Sequence, residues 1–412
     1  MSFKENLILW PEFFLNIDCF IPDDEDNLIA ALEHPDHVRK ITLNMSSKVE
    51  KVLRMLQVPF PILTHLDLSG PDDEDEVFDL LDQFLGVAAP SLQDLSLGNI
   101  SFPALPTLLS ASDLVSLRLH SIPPTGYISP EAMARSLVML TKLKTLRIEF
   151  PNPIDSELSP CQHQRLCLPL DSLMPVVLPV LTEFRFHGDS EYLEDLLAQV
   201  TMPQVEVVNI EYSKPEIETC QLSQFVNRAE SLKLAQFRDA TITFDFHNAY
   251  IGLYDPQGEH REARFTLTIW DPEMNYPMSS MADVLGQLVT LLSNVSELHI
   301  AGEHEKGRAS FDPVKGYVNS DAWLPLLRPF IAVEALDVYG GLAEFVSGQF
   351  QWYPEDSTDI DILPALKFLC FDDDSNVGDN EEFLSLRERS GRPVDILLRR
   401  EFDEIMATKR KC

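Results

Sequence analysis

Four basic residues of this 412-residue chain recur at one position of a repeated sequence pattern, and their chemistry suits an anionic partner. Each stands between the last two apolar residues of a segment of the form apolar-x-x-apolar-x-apolar; they are Arg118, Arg147, Arg185 and Lys233. Because a guanidinium group pairs in two-pronged geometry with phosphate or carboxylate, the row predicts binding of an acidic or phosphorylated protein segment. The alternative is a solvated strand face whose arginines are balanced by the face's own glutamates.

The same pattern recurs along almost the whole chain and defines the elements that carry these residues. Its central residue is, in order, Ile41, Leu66, Leu95, Leu117, Leu146, Phe184, Val208, Leu232, Leu267, Leu298, Leu336 and Leu369. Copies are about 30 residues apart, and the shorter intervals match the period of leucine-rich repeats. Proline stands two positions before the first apolar residue at Pro61, Pro90, Pro179, Pro203 and Pro364. Since proline suits the entry of a strand and not its middle, this fixed offset supports the register.

Each repeat combines one strand with a following stretch of helical spacing, which predicts an α/β leucine-rich-repeat solenoid. We expect a curved horseshoe with a parallel sheet on its concave side and helices on its convex side. Helices are predicted at 79–87, 131–140, 191–200, 222–229 and 281–292, and an irregular insertion at 239–264. The predicted organisation is an N-terminal capping segment (1–37), an array of about 12 irregular repeats (38–371) and a C-terminal cap and tail (372–412).

Alternation along each strand predicts which side chains face outward from the core. The residue between the last two apolar positions is expected on the concave face. These residues are Thr42, Asp67, Ser96, Arg118, Arg147, Arg185, Asn209, Lys233, Thr268, His299, Asp337 and Cys370. Neighbouring outward positions add His120 and His187. We therefore predict a partner-binding face that comprises Arg118, Arg147, Arg185, Lys233, His120, His187, Asn209 and Trp270.

Two aromatic residues at the ends of strands are candidates for protein contacts. Trp270 and Tyr339 are expected to face outward by the same alternation, and exposed aromatic rings of this kind anchor protein partners. Packing of these rings under a neighbouring loop is the alternative.

The overall charge argues against nucleic acid and membrane as partners. The chain has 66 Asp+Glu against 32 Lys+Arg, a formal net charge of −34, which repels phosphate backbones and anionic lipid surfaces. It has no run of 18 apolar residues and no secretory signal, so we expect a location in the cytosol or nucleus. Six cysteines without C-x-x-C spacing predict free thiols in a reducing compartment. We also predict a monomer.

The sequence contains no motif typical of catalysis or of cofactor binding. It lacks a G-x-S-x-G elbow, a phosphate loop, a dinucleotide fingerprint and H-E-x-x-H, so we predict neither an enzyme nor a cofactor. Residues 372–378 hint at a calcium loop, but Phe383 stands where a bidentate glutamate is needed. His34 and His37 have no third zinc ligand nearby in sequence. No catalytic or metal-binding residue is predicted.

Six stretches of the chain carry a family resemblance. They are 24–34 (DEDNLIAALEH), 59–69 (PFPILTHLDLS), 102–109 (FPALPTLL), 125–133 (TGYISPEAM), 186–196 (FHGDSEYLEDL) and 390–394 (SGRPV). Over roughly residues 20–400 the sequence resembles basidiomycete fungal F-box and F-box-like leucine-rich-repeat proteins. The resemblance implies a substrate-recognition subunit of an SCF-type ubiquitin ligase, in which an F-box docks the SCF adaptor and the repeats hold the substrate. Residues 1–21 contain no Leu-Pro-x-Glu-type F-box opening, so a stand-alone scaffold or decoy is the alternative.

Overall fold

The computed structural model places the chain in two compact units, Met1–Val205 (unit 1) and Glu206–Cys412 (unit 2). The described residues are 14–20, 25–44, 50–71, 78–79, 84–87, 89–101, 111–151, 175–214, 217, 219–245, 247–255, 262–270, 277–302, 322–339, 342, 346, 362–371 and 381–409. The acidic stretch 372–378, which hints at a calcium loop, lies outside them.

Unit 1 is built from parallel strands joined by helices and turns. Its strands are β1 (Leu15–Phe20), β2 (Val38–Asn44), β3 (His65–Ser69), β4 (Phe78–Asp79), β5 (Asp94–Gly98), β6 (Ile100–Ser101), β7 (Ser116–His120), β8 (Thr145–Glu149), β9 (Val176–Val177), β10 (Glu183–Gly188) and β11 (Val200–Thr201). The main sheet has the order β1-β2-β3-β5-β7-β8-β10 and is parallel throughout. Strands β4 and β6 form a separate parallel pair, as do β9 and β11.

The repeated apolar residues form the core of unit 1, as the sequence predicts. In the copy that contains β3, Leu63, Leu66 and Leu68 are each at most 1% exposed. Burial of such a side chain contributes about 1.5–3 kcal/mol, so each repeat is stabilised by covering the next.

The prolines that precede the strands lie in a recurring turn. The N–H of Leu63 donates to the carbonyl of Phe60 at 3.3 Å, which closes a turn with Pro61 at its second position. Equivalent turns hold Pro90, Pro179, Pro203 and Pro364. Proline is favoured at this position because its φ is already fixed near the value that the turn needs. The fixed offset of proline therefore reflects turn geometry just before the strand.

The helices of unit 1 are α1 (Glu25–Leu32), α2 (Glu50–Met55), α3 (Pro130–Leu137) and α4 (Ser190–Gln199), with 3-10 turns at Pro35–His37, Phe84–Val87 and Pro124–Gly126. The predicted helices at 131–140 and 191–200 are confirmed by α3 and α4. Ser129 caps α3, since its Oγ accepts from the N–H of Ala132 at 3.3 Å. The helix predicted at 79–87 is wrong: Asp79 belongs to β4, and Leu85 has a φ of 54°, which a right-handed helix does not allow.

Unit 2 has the same parallel architecture with one antiparallel insertion. Its strands are β12 (Val207–Tyr212), β13 (Asp239–Phe244), β14 (Asn248–Tyr254), β15 (Ala263–Trp270), β16 (Glu297–Gly302), β17 (Ala335–Tyr339), β18 (Phe368–Phe371) and β19 (Asp395–Leu397). They lie in the order β12-β15-β14-β13-β16-β17-β18-β19, and only β14 among them runs antiparallel to its two neighbours. The strand–turn–helix repeats of the two units make the fold an α/β leucine-rich-repeat solenoid, as predicted.

The helices of unit 2 are α5 (Cys220–Arg228), α6 (Glu230–Leu234), α7 (Pro277–Gln287), α8 (Val289–Leu292), α9 (Trp323–Leu327), α10 (Glu381–Arg389) and α11 (Arg399–Lys409). The predicted helix at 222–229 is confirmed by α5. The one predicted at 281–292 is present as α7 and α8, interrupted at Leu288. None of the helices in the described part of the chain is long and apolar enough to cross a bilayer.

The repeat predicted around Leu232 is wrong. These residues form α6, so Lys233 lies on a helix and not on a strand face. The apolar spacing of Ala229, Leu232 and Leu234 misleads because it also fits a turn of helix. Leu232 is buried, whereas Leu234 is 81% exposed, which a strand of the repeat pattern would not allow.

The described residues of the segment 239–264 form regular strands, contrary to the predicted irregular insertion. It contains β13 and β14, and the Asp245 carboxylate closes the turn between them by accepting from the N–H groups of His247 (2.7 Å) and Asn248 (2.6 Å). The following strand, β15, aligns Thr266 and not Thr268 with Asn209. The strand register predicted from the sequence is therefore wrong by two residues in this copy of the pattern, in which Arg264 stands at an apolar position.

The C-terminal segment of unit 2 adds a last strand and two helices. Gly391 ends α10 with a φ of 73°, and the N–H of Arg392 donates to the carbonyl of Arg387 at 2.9 Å. The turn lies in the stretch Ser390–Val394, one of the six that carry the family resemblance. It leads the chain into β19, which pairs with β18. Helix α11 then packs against β18 and β19.

Candidate functional site

The predicted arginines of unit 1 form a row across three neighbouring strands. The strand register places Ser96 of β5 beside Arg118 of β7, Arg118 beside Arg147 of β8, and Arg147 beside Arg185 of β10. Neighbouring strands are about 4.8 Å apart, so the bases of these side chains lie within one short stretch of surface. We call the outward side chains Ser96, Arg118, Arg147, Arg185 and His120 the arginine face.

Two of the three arginines are paired with glutamates of the same strands. Arg147 binds Glu149 through two nitrogens: Nε contacts Oε1, and Nη2 lies 2.8 Å from Oε2. Arg185 Nε lies 2.6 Å from Glu183 Oε1. These pairs are partly exposed, with side-chain exposure of 38% for Arg147 and 44% for Arg185, so each contributes little to stability. Their effect is to hold two guanidinium groups in place and to neutralise them in part.

Arg118 differs from its two neighbours. Its side chain is exposed, and it makes no ion pair or hydrogen bond with any residue that the structure describes. None of its five N–H donors is taken up by a described residue. Arg118 is therefore the arginine of this face at which an anion would meet no competing carboxylate from the described part of the chain.

His120 is the next outward residue after Arg118 on β7 and lies at that edge of the arginine face. Its ring lies over Gly98 of β5, where an added Cβ would come within 1.9 Å of the imidazole Cε1. Only glycine leaves room for the ring at this place. Burial lowers the pKa of His120 below its ordinary value of 6.5; Glu149 raises it, Arg147 lowers it and Asp67 raises it, each to a smaller extent. The lowered pKa favours the neutral imidazole at neutral pH.

The other predicted contact residues are dispersed. His187 lies on β10 beside Glu149, in the same unit as the arginines. Asn209 lies on β12 and Trp270 ends β15, both half-buried in unit 2. Lys233 lies on α6 and not on a strand. The structure thus brings Arg118, Arg147, Arg185, His120 and His187 together in unit 1.

A pair of tyrosines occupies the outward face of the antiparallel insertion in unit 2. Tyr250 and Tyr254 flank Gly252 on β14, and their hydroxyls lie over the glycine, 2.4 Å and 3.0 Å from where a Cβ would stand. Burial and then the hydrogen bond with Tyr254 raise the pKa of Tyr250. This uncharged surface was not predicted, because its strand was not recognised in the sequence.

The outward residues Asp337 and Cys370 are covered, contrary to the expectation that they face solvent. The carboxylate of Asp337 has no exposed surface: Arg399 Nη1 of α11 lies 2.6 Å from both of its oxygens, and His299 Nδ1 lies 3.0 Å from Oδ2. Cys370 packs with Phe402 and Met406 of α11.

The grouping of a cysteine, a histidine and an aspartate invites comparison with a nucleophile site. Burial, and then the charge of Asp337, raises the pKa of the Cys370 thiol to about 12, so at neutral pH it is a protonated, buried group. The Asp337 carboxylate is taken up by Arg399. This arrangement is suited to holding a helix in place, and we assign it no catalytic role.

The described ranges contain no candidate metal centre. No group of three or more His, Cys, Asp or Glu side chains there is arranged to hold an ion. His34 precedes the 3-10 turn Pro35–His37 and His37 ends it, and no third ligand joins them within the described part of the chain.

The main residue missed by the sequence analysis is Arg399. A signal for it exists in the spacing of Leu398, Phe402 and Ile405, which marks an amphipathic helix beyond the last strand. The spacing does not say which surface that helix covers.

Comparisons with solved structures give distant structural similarities. An internalin from Listeria monocytogenes is similar over 89% of this chain and 88% of that chain, with 12% sequence identity and a TM-score of 0.29. No protein-family model matches the chain, and no curated protein matches it. The repeat architecture therefore rests on the strands and turns of the chain itself.

Proposed function

We propose that the chain is a protein-recognition module whose arginine face binds an acidic or phosphorylated protein segment. The observation that carries the proposal is Arg118: an exposed guanidinium without a described partner, in register beside two further arginines. Charge-assisted bonds from guanidinium groups to phosphate or carboxylate are among the strongest polar contacts that a surface makes.

The paired arginines support this role because they are already positioned. Glu149 engages Nε and Nη2 of Arg147, and Glu183 engages Nε of Arg185, so further N–H donors of both partly exposed guanidinium groups are not taken up by these glutamates. Holding long side chains in one geometry before binding lowers the entropy lost on binding. An anion centred on Arg118 would therefore meet preformed secondary contacts.

The test of the proposal uses a fluorescein-labelled decapeptide of alternating glutamate and phosphoserine, with a glutamine–serine decapeptide as the uncharged counterpart. We expect the anionic peptide to bind, by fluorescence anisotropy, and Arg118→Ala to weaken its binding at least about tenfold, equivalent to about 1.4 kcal/mol. The matched control is Arg135→Ala, an exposed arginine of α3 whose loss changes the net charge equally. Equal binding by the two variants would refute a role for Arg118.

The contribution of the whole row is tested by the triple variant Arg118/Arg147/Arg185→Ala. We expect this protein to lose both its affinity for the anionic peptide and the salt dependence of that affinity. Retention of both would show that the strand face is only a solvated surface balanced by its glutamates.

A narrower proposal follows from the resemblance to F-box-like leucine-rich-repeat proteins: the chain acts as the substrate receptor of an SCF-type ubiquitin ligase in the cytosol or nucleus. Affinity purification from cytosolic and nuclear extracts, followed by mass spectrometry, tests it. Co-purification of the SCF adaptor and a cullin would support the receptor. Recovery of a partner protein with neither would support a stand-alone scaffold or decoy.

A further inference from the structure

Helix α11 covers part of the outward strand face of unit 2. The strand register aligns His299, Asp337 and Cys370 in one outward row across β16, β17 and β18. Asp337 and Cys370 are completely buried there, and α11 packs on the strands that carry this row. We call the outward surface formed by His299, Asp337, Cys370 and Ala335 the α11 seat.

The polar part of the seat recognises one arginine. Nη1 of Arg399 lies 2.6 Å from both oxygens of Asp337, and its guanidinium carbon lies 5.3 Å from the centre of the Tyr339 ring. His299 contacts the same carboxylate from the strand side at 3.0 Å. The carboxylate and the aromatic face thus bind two sides of a guanidinium group.

The apolar residues of the seat contact one side of α11. Phe402 and Met406 are buried against Ala335 and Cys370, with Ile405 packed beside them. The opposite side of α11 faces water: Arg400 is 91% exposed and Glu404 73%. The helix therefore contacts the seat through an arginine and apolar residues three and seven positions later.

The ion pair between Arg399 and Asp337 is suited to a helix that can leave the sheet. The carboxylate of Asp337 is fully buried whereas the side chain of Arg399 stays 41% exposed, so the loss of hydration by the carboxylate offsets much of the attraction between the two charges. When the helix leaves, Asp337 and Arg399 both regain hydration. A helix fixed permanently to the sheet would be held more tightly by an apolar residue at position 337.

We propose that the α11 seat is a docking site for an amphipathic helix of a partner protein, and that α11 occupies it as an internal ligand until displaced. The partner helix carries an arginine followed by large apolar residues at the third and seventh positions after it, as α11 does with Arg399, Phe402 and Met406. Binding of an amphipathic helix in such a surface is a recurrent mode of protein recognition. This proposal concerns unit 2 and does not depend on the arginine face.

The first test is hydrogen exchange on the full, unaltered chain. If α11 opens on its own, its backbone amides exchange at least about tenfold faster than the amides of β17 and β18. If α11 exchanges only as fast as these strands, it opens only with them and the proposal is wrong. This measurement needs no variant and so does not depend on how a variant folds.

The second test measures docking in trans with a fluorescein-labelled peptide of the sequence 397–409. We expect Arg399→Ala, which weakens the hold of the internal helix, to bind this peptide at least about tenfold more tightly than Arg400→Ala, the matched control at the neighbouring exposed arginine. A peptide with alanine at the position of Arg399 should bind neither protein. Equal anisotropy curves for the two variants, or for the two peptides, would overturn the proposal even if α11 opens.

Discussion

At the scale of single residues, His120 links the packing of unit 1 to its response to acid. Its ring is half-buried over Gly98, and burial lowers its pKa below 6.5. In the unfolded chain the same histidine takes up its proton near pH 6.5. As the pH falls below that value, the unfolded state binds more protons than the folded state. The contribution of His120 to the free energy of unfolding is therefore fully present above pH 6.5 and is lost as the pH falls below it.

We therefore predict that replacing His120 reduces the acid sensitivity of the fold. In His120→Gln, the free energy of unfolding should fall less steeply between about pH 6.5 and 5, because the group that protonates in the unfolded state is gone. Urea unfolding at a series of pH values measures the slope. His247→Gln, a change of the same type at an exposed position of unit 2, is the control. A slope unchanged from that control would contradict the prediction.

The close approach of Gly98 gives an independent check on the same cause. A methyl group at this position would collide with the imidazole ring, which is the movable end of a side chain, so Gly98→Ala should fold with His120 turned out into solvent. We expect the NMR pH titration of the His120 ring to shift to higher pH, towards 6.5, and the acid sensitivity to fall as in His120→Gln. An unshifted titration curve would show that burial over Gly98 is not what lowers the pKa.

At the scale of elements, α10 is anchored by one buried arginine. Arg387 is 5% exposed, and its Nη2 donates to the carbonyls of Leu363 (3.3 Å) and Leu366 (3.0 Å) in the turn that precedes β18. Leu363 has a φ of 48°, so the turn it belongs to is itself strained and gains from this support.

We predict that Arg387→Met lowers the free energy of unfolding by about 1–3 kcal/mol, because the carbonyls of Leu363 and Leu366 each lose a charged donor while the apolar stem is kept. Arg389→Met on the same helix, at an exposed position, should change it by no more than about 0.5 kcal/mol. Chemical denaturation of both variants measures the difference. Equal losses would mean that the anchor lies elsewhere in α10.

The elements that sequence predicted well are those whose pattern is local. The copies around Leu66, Leu95, Leu117 and Leu146 became strands because three apolar residues at fixed spacing can all be buried at once on one side of a strand. For the same reason the outward row from Ser96 to Arg185 was predicted residue by residue. Its pairing with Glu149 and Glu183 was foreseen only as the alternative, since side-chain partners depend on rotamers that no spacing reveals.

The elements that sequence missed depend on contacts between distant segments. The apolar spacing around Leu232 fits a strand and a helix equally. These residues form a helix because β13 and β15, and not this segment, take places in the sheet. The cover over Asp337 could not be predicted, because a helix that begins 62 residues later supplies it. The spacing of apolar residues predicts that α11 is amphipathic, but it does not predict which surface the apolar side of the helix packs against.

At the scale of the whole molecule, electrostatics acts in two opposite senses. The chain carries 66 acidic and 32 basic residues, so its formal net charge of −34 destabilises any compact form through self-repulsion. The arginine face is the proposed local exception, where Arg118, which has no partner among the described residues, would attract anions over a short range. Salt screens both effects, but it stabilises the fold in the first case and weakens binding in the second.

We therefore predict opposite responses to one salt series. Between about 10 and 100 mM NaCl, where the screening length falls from about 30 Å to about 10 Å, the free energy of unfolding should rise while affinity for the glutamate–phosphoserine peptide falls. Tetramethylammonium chloride should act in the same way if screening and not ion binding is the cause. A stability that falls with salt would mean that attractive pairs such as Arg147–Glu149 outweigh the net charge. Peptide affinity that is indifferent to salt would mean that the arginine face does not bind through its charge.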